Sequence, residues 1–448
     1  MGRKICFKEL DSFVNSFARA LMALGVQPGD KVALCLPNIP QTVIANLAIL
    51  RIGAVAVQNN PLLTDRELEY QLSDSEAKAV ICLSALVDRV RALKPGTRIE
   101  KIIDCRMDAF SSFSAEQSPP VDKKPAASSF SPLDERFAFE ALVAAFADGP
   151  VADRSRWDAP AALIYTGGTT GVSKGVLLSN ANLSSNVQQF AAWLPDWAPG
   201  EASLVGTYPI FHSAGFSFIQ NFTIWKAFEH IMVPKPEPRA IMEIPEAAFS
   251  FDAAGGSHAF YRADGGAGIR RAGFFIPQGG FFRRGPPFAG YQWRVRGPDG
   301  PAVVRGVRLD RGGSAGRGDA LGRPGPAGDG GRADSAHRCA HCGPGDRPAG
   351  SRAGRTGEIV VKGPQVMPGY YKRPEETRRV LQDGWLRTGD IGRFDADGYL
   401  TVVDRAKDVI IAGGFNVYPV EIDAVLTSHP KVREACAVGV PDAYRGRR

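Results

Sequence analysis

Lysine is missing from 110 consecutive residues, Pro245 to Gly354, which still carry sixteen arginines, eight aspartates and one glutamate. Leucine and isoleucine fall to two each there, while Gly, Ala, Arg and Pro fill 70 of the positions, including 26 of the chain's 50 glycines. So little apolar surface cannot offset the entropy of ordering the backbone, which excludes a packed core and predicts a disordered or misfolded stretch. The same stretch accounts for the whole formal charge of +7, because the other 338 residues carry 38 basic and 38 acidic side chains. A basic surface spread along the chain is therefore excluded. An Arg/Gly-rich tract can serve as an RNA-binding arm. Against that, these four residue types are largely encoded by GC-rich codons, and their joint excess without lysine is what a GC-rich gene gives when read out of frame. The expectation is a frameshifted segment and no nucleic-acid partner.

Long apolar runs are also missing. The start, MGRKICFKELDSF, has no apolar core of a signal peptide, and VIANLAILRIGAVAV is interrupted by Arg51 before it could span a bilayer. The seven cysteines are odd in number, and Cys6, Cys35, Cys82, Cys105 and Cys436 lie far apart, which fits free thiols in a reducing compartment better than a disulfide framework. Cys339 and Cys342 sit with His337 and His341 inside the lysine-free tract, without the spacing of a known zinc module. The expected location is the cytoplasm.

What is present reads as α/β. Leu10 to Leu24 places Phe13, Phe17, Ala20, Leu21 and Leu24 on one helical face, ended by Gly25, and KVALCLP follows as an apolar strand. A helix from Pro40 to Arg51, the strand AVAV, a helix from Thr64 to Asp74 and the strand AKAVICL repeat the alternation, which predicts βαβ units around a parallel sheet. Ala161 to Tyr165 is a further short strand, and Asn180 or Asn182 is placed to cap a later helix.

That strand runs into YTGGTTGVSKG, Tyr165 to Gly175. Glycines let backbone N–H groups approach an anion, threonine and serine hydroxyls add donors, and Lys174 supplies a point charge, so the loop suits a polyphosphate. A Walker A loop is excluded, since Val172 and Ser173 separate Gly171 from Lys174. Carboxyl ends of parallel strands are where open α/β sheets bind ligands.

The loop resembles the phosphate loop of the adenylate-forming superfamily of acyl-CoA synthetases, luciferases and peptide-synthetase adenylation domains. PIFHSAGF (Pro209 to Phe216), GEIVVKGPQVMPGYYKRPEET, GWLRTGDIGRFDADGYL and DRAKDVIIAGGFNVYPVEID resemble its later motifs in the correct order. MPGYYKRPEET and IAGGFNVYPVEID are most similar to bacterial long-chain fatty acid CoA ligases, with coumarate-type and medium-chain ligases close. The resemblance implies a large N-terminal AMP-binding domain of parallel and mixed sheets flanked by helices (1–406, with 245–354 aberrant). A small α+β C-terminal domain would begin at 407 and be incomplete at 448.

It also implies ATP, Mg2+ and coenzyme A as the small molecules, a fatty or other carboxylic acid as substrate, and peripheral membrane contact; oligomeric state is open. Thr166, Gly167, Gly168, Thr169, Thr170, Gly171 and Lys174 would hold the nucleotide's phosphates. Asp390 would accept the ribose hydroxyls, although alone an Asp between Gly and a strand is more often a turn residue. Arg405 would contact the nucleotide, His212 would gate the substrate carboxylate, Lys407 would be the hinge of a swinging domain, and Gly413 and Gly414 would line the path of the pantetheine arm. Asp395 to Gly398 reads as a hairpin turn.

One departure bears on activity. No in-frame Y-G-x-T-E occurs, and the resemblance puts the magnesium-binding glutamate and the adenine-stacking motif there, inside 245–354. Three readings follow: a fatty acid CoA ligase inactive as written, a catalytically dead remnant that binds nucleotide, and a ligase for aromatic or medium-chain acids.

Overall fold

Six parallel strands dominate the first of the two units into which the chain divides. That unit comprises Met1–Phe190, Trp197–Ser250 and Met367–Thr377; the second comprises Ala191–Asp196, Phe251–Val366 and Arg378–Arg448. The computed structural model describes residues 4–110, 130–131, 134–147, 149–166, 172–194, 197–236, 241, 244, 275–276, 280–281, 292–297, 300–305, 338–342, 356–394, 400–406, 408–412, 415–442 and 446–447.

Helix α1, Phe7–Ala23, starts three residues before the apolar periodicity predicts. The cause is polar: the Glu9 carboxylate reaches back to accept the Cys6 N–H at 2.9 Å. The helix stops where Gly25 takes a left-handed φ of 86°. Strands and helices then alternate as β1 (Lys31–Cys35), α2 (Pro40–Arg51), β2 (Val55–Gln58), α3 (Asp65–Ser75), β3 (Ala79–Leu83), α4 (Val87–Leu93), β4 (Lys101–Cys105), β5 (Arg136–Ala138), α5 (Phe139–Ala145), β6 (Pro160–Tyr165), β7 (Gly175–Ser179) and α6 (Asn180–Trp193). The predicted βαβ alternation holds, and α3 opens with a Thr64–Glu67 capping box.

In the sheet β6, β2, β1, β3, β4 and β5 lie side by side, all parallel. β7 runs antiparallel to β6, and the short strand Gly369–Tyr370 extends that edge antiparallel to β7. Side chains along β1 alternate between two cores. Val32 and Leu34 join α1 and α2 through Phe17, Leu21, Ile44 and Ile49, whereas Ala33 and Cys35 face the cluster of Leu68, Leu72, Val87 and Val90. Each fully buried large apolar side chain contributes about 1.5–3 kcal/mol. Burial pushes the Cys82 thiol up to about 12 and raises Cys35 and Cys105 too, so these thiols are unreactive core residues.

The expected cap of α6 is corrected. Ser179, not Asn180 or Asn182, is the N-cap: its Oγ accepts the Asn182 N–H at 3.2 Å, while Asn182 Oδ1 accepts the Ser179 N–H at 2.8 Å.

In the second unit, Thr356–Lys362, Trp385–Phe394 and Leu400–Arg405 form an antiparallel sheet, edged by Arg338–Cys342 and Leu381–Gln382. Described residues between 245 and 354 lie in that edge strand and in two hairpins, Phe275–Ile276 with Gly280–Phe281 and Gln292–Gly297 with Gly300–Arg305. A four-stranded sheet of Phe415–Val417, Ile410–Ala412, Gly446–Arg447 and Pro441–Asp442 accompanies the helix Pro419–Thr427 in the same unit. Among the described residues no helix is long and apolar enough to cross a membrane.

Candidate active site

The glycine-rich stretch connects two strands rather than a strand and a helix. β6 and β7 pair antiparallel with Tyr165 opposite Gly175, so the two ends of the stretch lie side by side at the carboxyl end of β6. Thr166 and Lys174 close its base. The Thr166 N–H donates to the Lys174 carbonyl at 3.0 Å, and the Lys174 N–H donates to Thr166 Oγ1 at 3.2 Å. Both side chains are half-buried, and Lys174 Nζ stands 5.3 Å from the centre of the Tyr370 ring. Gly167, Gly168, Thr169, Thr170 and Gly171 lie outside the described residues. Thr166 thus closes the base of the loop through an oxygen that accepts from the backbone, and a hydroxyl can also donate to an anion.

His212 sits between β8 (Ser203–Gly206) and an eight-residue π-helix, Gly215–Phe222. Its Nδ1 accepts the Ala214 N–H at 3.3 Å. Gly215 is demanded by close approach: a Cβ there would fall 1.9 Å from the Pro209 carbonyl oxygen. The π-helix was not foreseen in the sequence, and such bulges gather at functional sites. Nor were the residues that hold this segment. Buried Asn38 donates to the carbonyls of Gly206 and Tyr208 and accepts the Ile210 N–H, all at 2.8 Å. Behind the π-helix, Gln58 donates to Asn46 at 2.7 Å and Asn46 donates to Gln220 at 2.8 Å, a chain of buried amides. A run of amides in otherwise apolar β2 and α2 was the available signal.

In the second unit Asp390 proves to lie inside the ten-residue strand Trp385–Phe394, not in a loop, and it is 6% exposed. Arg405 is its direct partner on the neighbouring strand, with Nε 3.0 Å from Asp390 Oδ1. Two residues with separately predicted roles are therefore one ion pair. Preceding Gly389 has φ 75° and donates its N–H to Glu358 Oε1 at 3.0 Å. Lys407, Gly413 and Gly414 lie outside the described residues, as do Asp395 to Gly398, although the strands on either side of that turn pair antiparallel with Phe394 opposite Leu400.

Among the described residues no group of three or more His, Cys, Asp or Glu side chains is gathered to hold a metal ion.

The family described as AMP-binding enzyme matches residues 1–248. The long-chain-fatty-acid–CoA ligase of Bacillus subtilis is 32% identical over 99% of this chain and 80% of its own length. Feruloyl-CoA synthase of an Amycolatopsis species is 33% identical over 99% of this chain and 82% of its own. Among solved structures, ATP-bound MatB from Rhodopseudomonas palustris superimposes with a TM-score of 0.70 at 25% identity, over 99% of this chain and 82% of MatB. Together with the hairpin closed by Thr166 and Lys174, these matches establish that the chain belongs to the AMP-binding enzyme family.

Proposed function

We propose that the chain is built as an ATP-dependent acid–thiol ligase for long-chain fatty acids. A carboxylate oxygen attacks the α-phosphorus of ATP, and the new O–P bond forms as the bond to pyrophosphate breaks. The thiolate of coenzyme A then bonds the acyl carbon, and AMP leaves. The observation that carries this reading is the pairing of Thr166 with Lys174 at the carboxyl end of β6, which sets a hydroxyl-bearing and an ammonium-bearing residue side by side at the base of the glycine-rich stretch. In this reading residues 166–171 and Lys174 stabilise phosphate charge as it builds. Asp390 takes the ribose hydroxyls, Arg405 the nucleotide and His212 the substrate carboxylate, Lys407 is the hinge, and Gly413 and Gly414 border the pantetheine arm. Magnesium enters as the counter-ion of ATP.

The names of the relatives support a fatty acid substrate. Aromatic or medium-chain acids are the alternative substrates, feruloyl-CoA synthase being similar to this chain. The fitting location is the cytoplasm, with peripheral contact to a membrane as the source of a long-chain acid.

A second reading is favoured by the missing Y-G-x-T-E: nucleotide is bound and not turned over. The test is purified chain with MgATP, palmitate and coenzyme A. The expected result is MgATP binding that Lys174→Ala weakens, without acyl-CoA. Robust turnover would eliminate the inactive reading, and binding indifferent to Lys174→Ala would eliminate the hairpin's phosphate role.

A further inference from the structure

Helix α3 ends against its own electrostatics. Asp74 lies in its last turn and Glu76 caps it, although the carboxyl end of a helix repels anions and this turn holds no basic residue. Glu76 is also left-handed at φ 54°, a conformation costly for a residue with a Cβ. Arg98 Nη2 stands 3.1 Å from Glu76 Oε1, and the rest of the compensation comes from Tyr371, Lys372 and Arg373, some three hundred residues along the chain. Lys372, itself left-handed at φ 52°, places Nζ 3.0 Å from Glu76 Oε2, and the Tyr371 hydroxyl donates to the same oxygen at 3.0 Å. Arg373 Nη2 donates to Asp74 Oδ1 at 3.1 Å and to the Tyr70 hydroxyl at 3.2 Å.

Both ends of the glycine-rich hairpin are tied to this cluster. The Tyr165 hydroxyl, at its start, donates to Asp74 Oδ2 at 2.8 Å. The Tyr70 hydroxyl donates to the carbonyl of Ser173, one residue before Lys174, at 2.9 Å. The Tyr70 and Tyr165 rings meet edge to face with centroids 6.3 Å apart, and the Tyr371 N–H donates to the Gly175 carbonyl at 2.8 Å. Asp74 is therefore the shared acceptor of a bracket whose two arms reach the entry and the exit of one loop.

We propose that Tyr70, Asp74 and Arg373 are positioning residues for nucleotide phosphate, fixing Tyr165 and Ser173–Gly175, the two described ends of the glycine-rich stretch. The inference rests on the hairpin's reading as a phosphate site. Arg373 orients the Tyr70 hydroxyl by donating to it, so that its proton goes to Ser173; two strained residues persist because their ion pair fastens the segment that delivers Arg373.

The test uses the full chain, with Tyr70→Phe keeping the ring and deleting only the hydroxyl. Amide exchange of residues 172–178 should quicken about tenfold while α1 and α2 are unchanged, because one hydrogen bond to the exit of the hairpin is lost. MgATP binding should weaken about five- to tenfold, adenosine binding should not change, and Arg373→Lys should fall between parent and Arg373→Ala. A general structural defect would weaken both ligands alike and overturn the proposal, as would unchanged exchange at 172–178. If Lys174→Ala weakens MgATP and Tyr70→Phe does not, the bracket's role in binding fails while the hairpin reading stands. If Lys174→Ala has no effect, that reading fails, and the inference with it.

Discussion

Arg405 Nε and Asp390 Oδ1 lie 3.0 Å apart as direct partners on neighbouring antiparallel strands, the aspartate side chain 9% and the arginine 30% exposed. Removing the carboxylate leaves a half-buried guanidinium that can partly rehydrate, so Asp390→Ala should cost about 1–3 kcal/mol, less than a fully buried pair would. Asp390→Asn should cost less and still weaken MgATP, because a neutral amide offers one acceptor where the carboxylate offers two. Urea denaturation alongside MgATP titration checks both; a large stability loss with unchanged binding would make the pair purely architectural.

The Glu76 carboxyl is held below its ordinary range by the Lys372 ammonium first and the Tyr371 hydroxyl second. A carboxyl depressed in the fold contributes stability that is fully present above its unfolded value of about 4.3 and is lost as pH falls through the folded value. Glu76→Gln should therefore flatten the acid limb of the stability profile below about pH 4.3, and the two proteins should converge at the acid end. Thermal melts across that range decide it: parallel limbs would remove Glu76 from the acid response.

Gly215→Ala should disrupt the His212 segment, because the new Cβ would press 1.9 Å from a backbone oxygen that cannot swing aside. The cost should reach or exceed the roughly 1–3 kcal/mol of an overpacked core. Asn38→Ala, which abandons two buried carbonyls and one N–H, should cost about as much. Melting temperatures that stay at the parent value in both variants would show that the segment adapts.

The fold was legible wherever side-chain periodicity alone decides it. Phe17 and Leu21 mark the buried face of α1, and Val32, Leu34 and Ile81 mark strands of a parallel sheet. Polar interactions moved the boundaries: Glu9 drew α1 back to Phe7, and Ser179 took the cap from two asparagines. The site was legible as motifs and illegible as geometry. Nothing local in RTGD shows that Asp390 will face Arg405 fifteen residues later, since that pairing depends on strand register. Asn38, Asn46 and Asp74 were missed for the same reason: each acts through a partner distant in sequence.

The last prediction concerns the lysine-free tract, which is expected to hide family motifs one base out of register. Family-like sequence persists to Phe249-Ser250-Phe251, after which the resemblance implies a string like Met-Pro-Gly-Val-Pro-Thr. Restarting codons at the second base of Asp252, the codons allowed through Tyr261 permit Met-Pro-Leu-Val-Val-Pro-Thr-Leu-Phe. The same offset from Val295 to Pro301 permits Tyr-Gly-Ala-Leu-Thr-Asp, near the missing Tyr-Gly-x-Thr-Glu. A compensating slip near Gly354 would then restore GRTGEIVVKG. Codon degeneracy makes either match permissive alone; two in one register, in a tract whose composition suits out-of-frame reading, point the same way. The gene's nucleotide sequence across this window should contain both strings and no stop codon in the shifted frame. A stop codon there, or the absence of both strings, would make the arginine–glycine tract genuine protein.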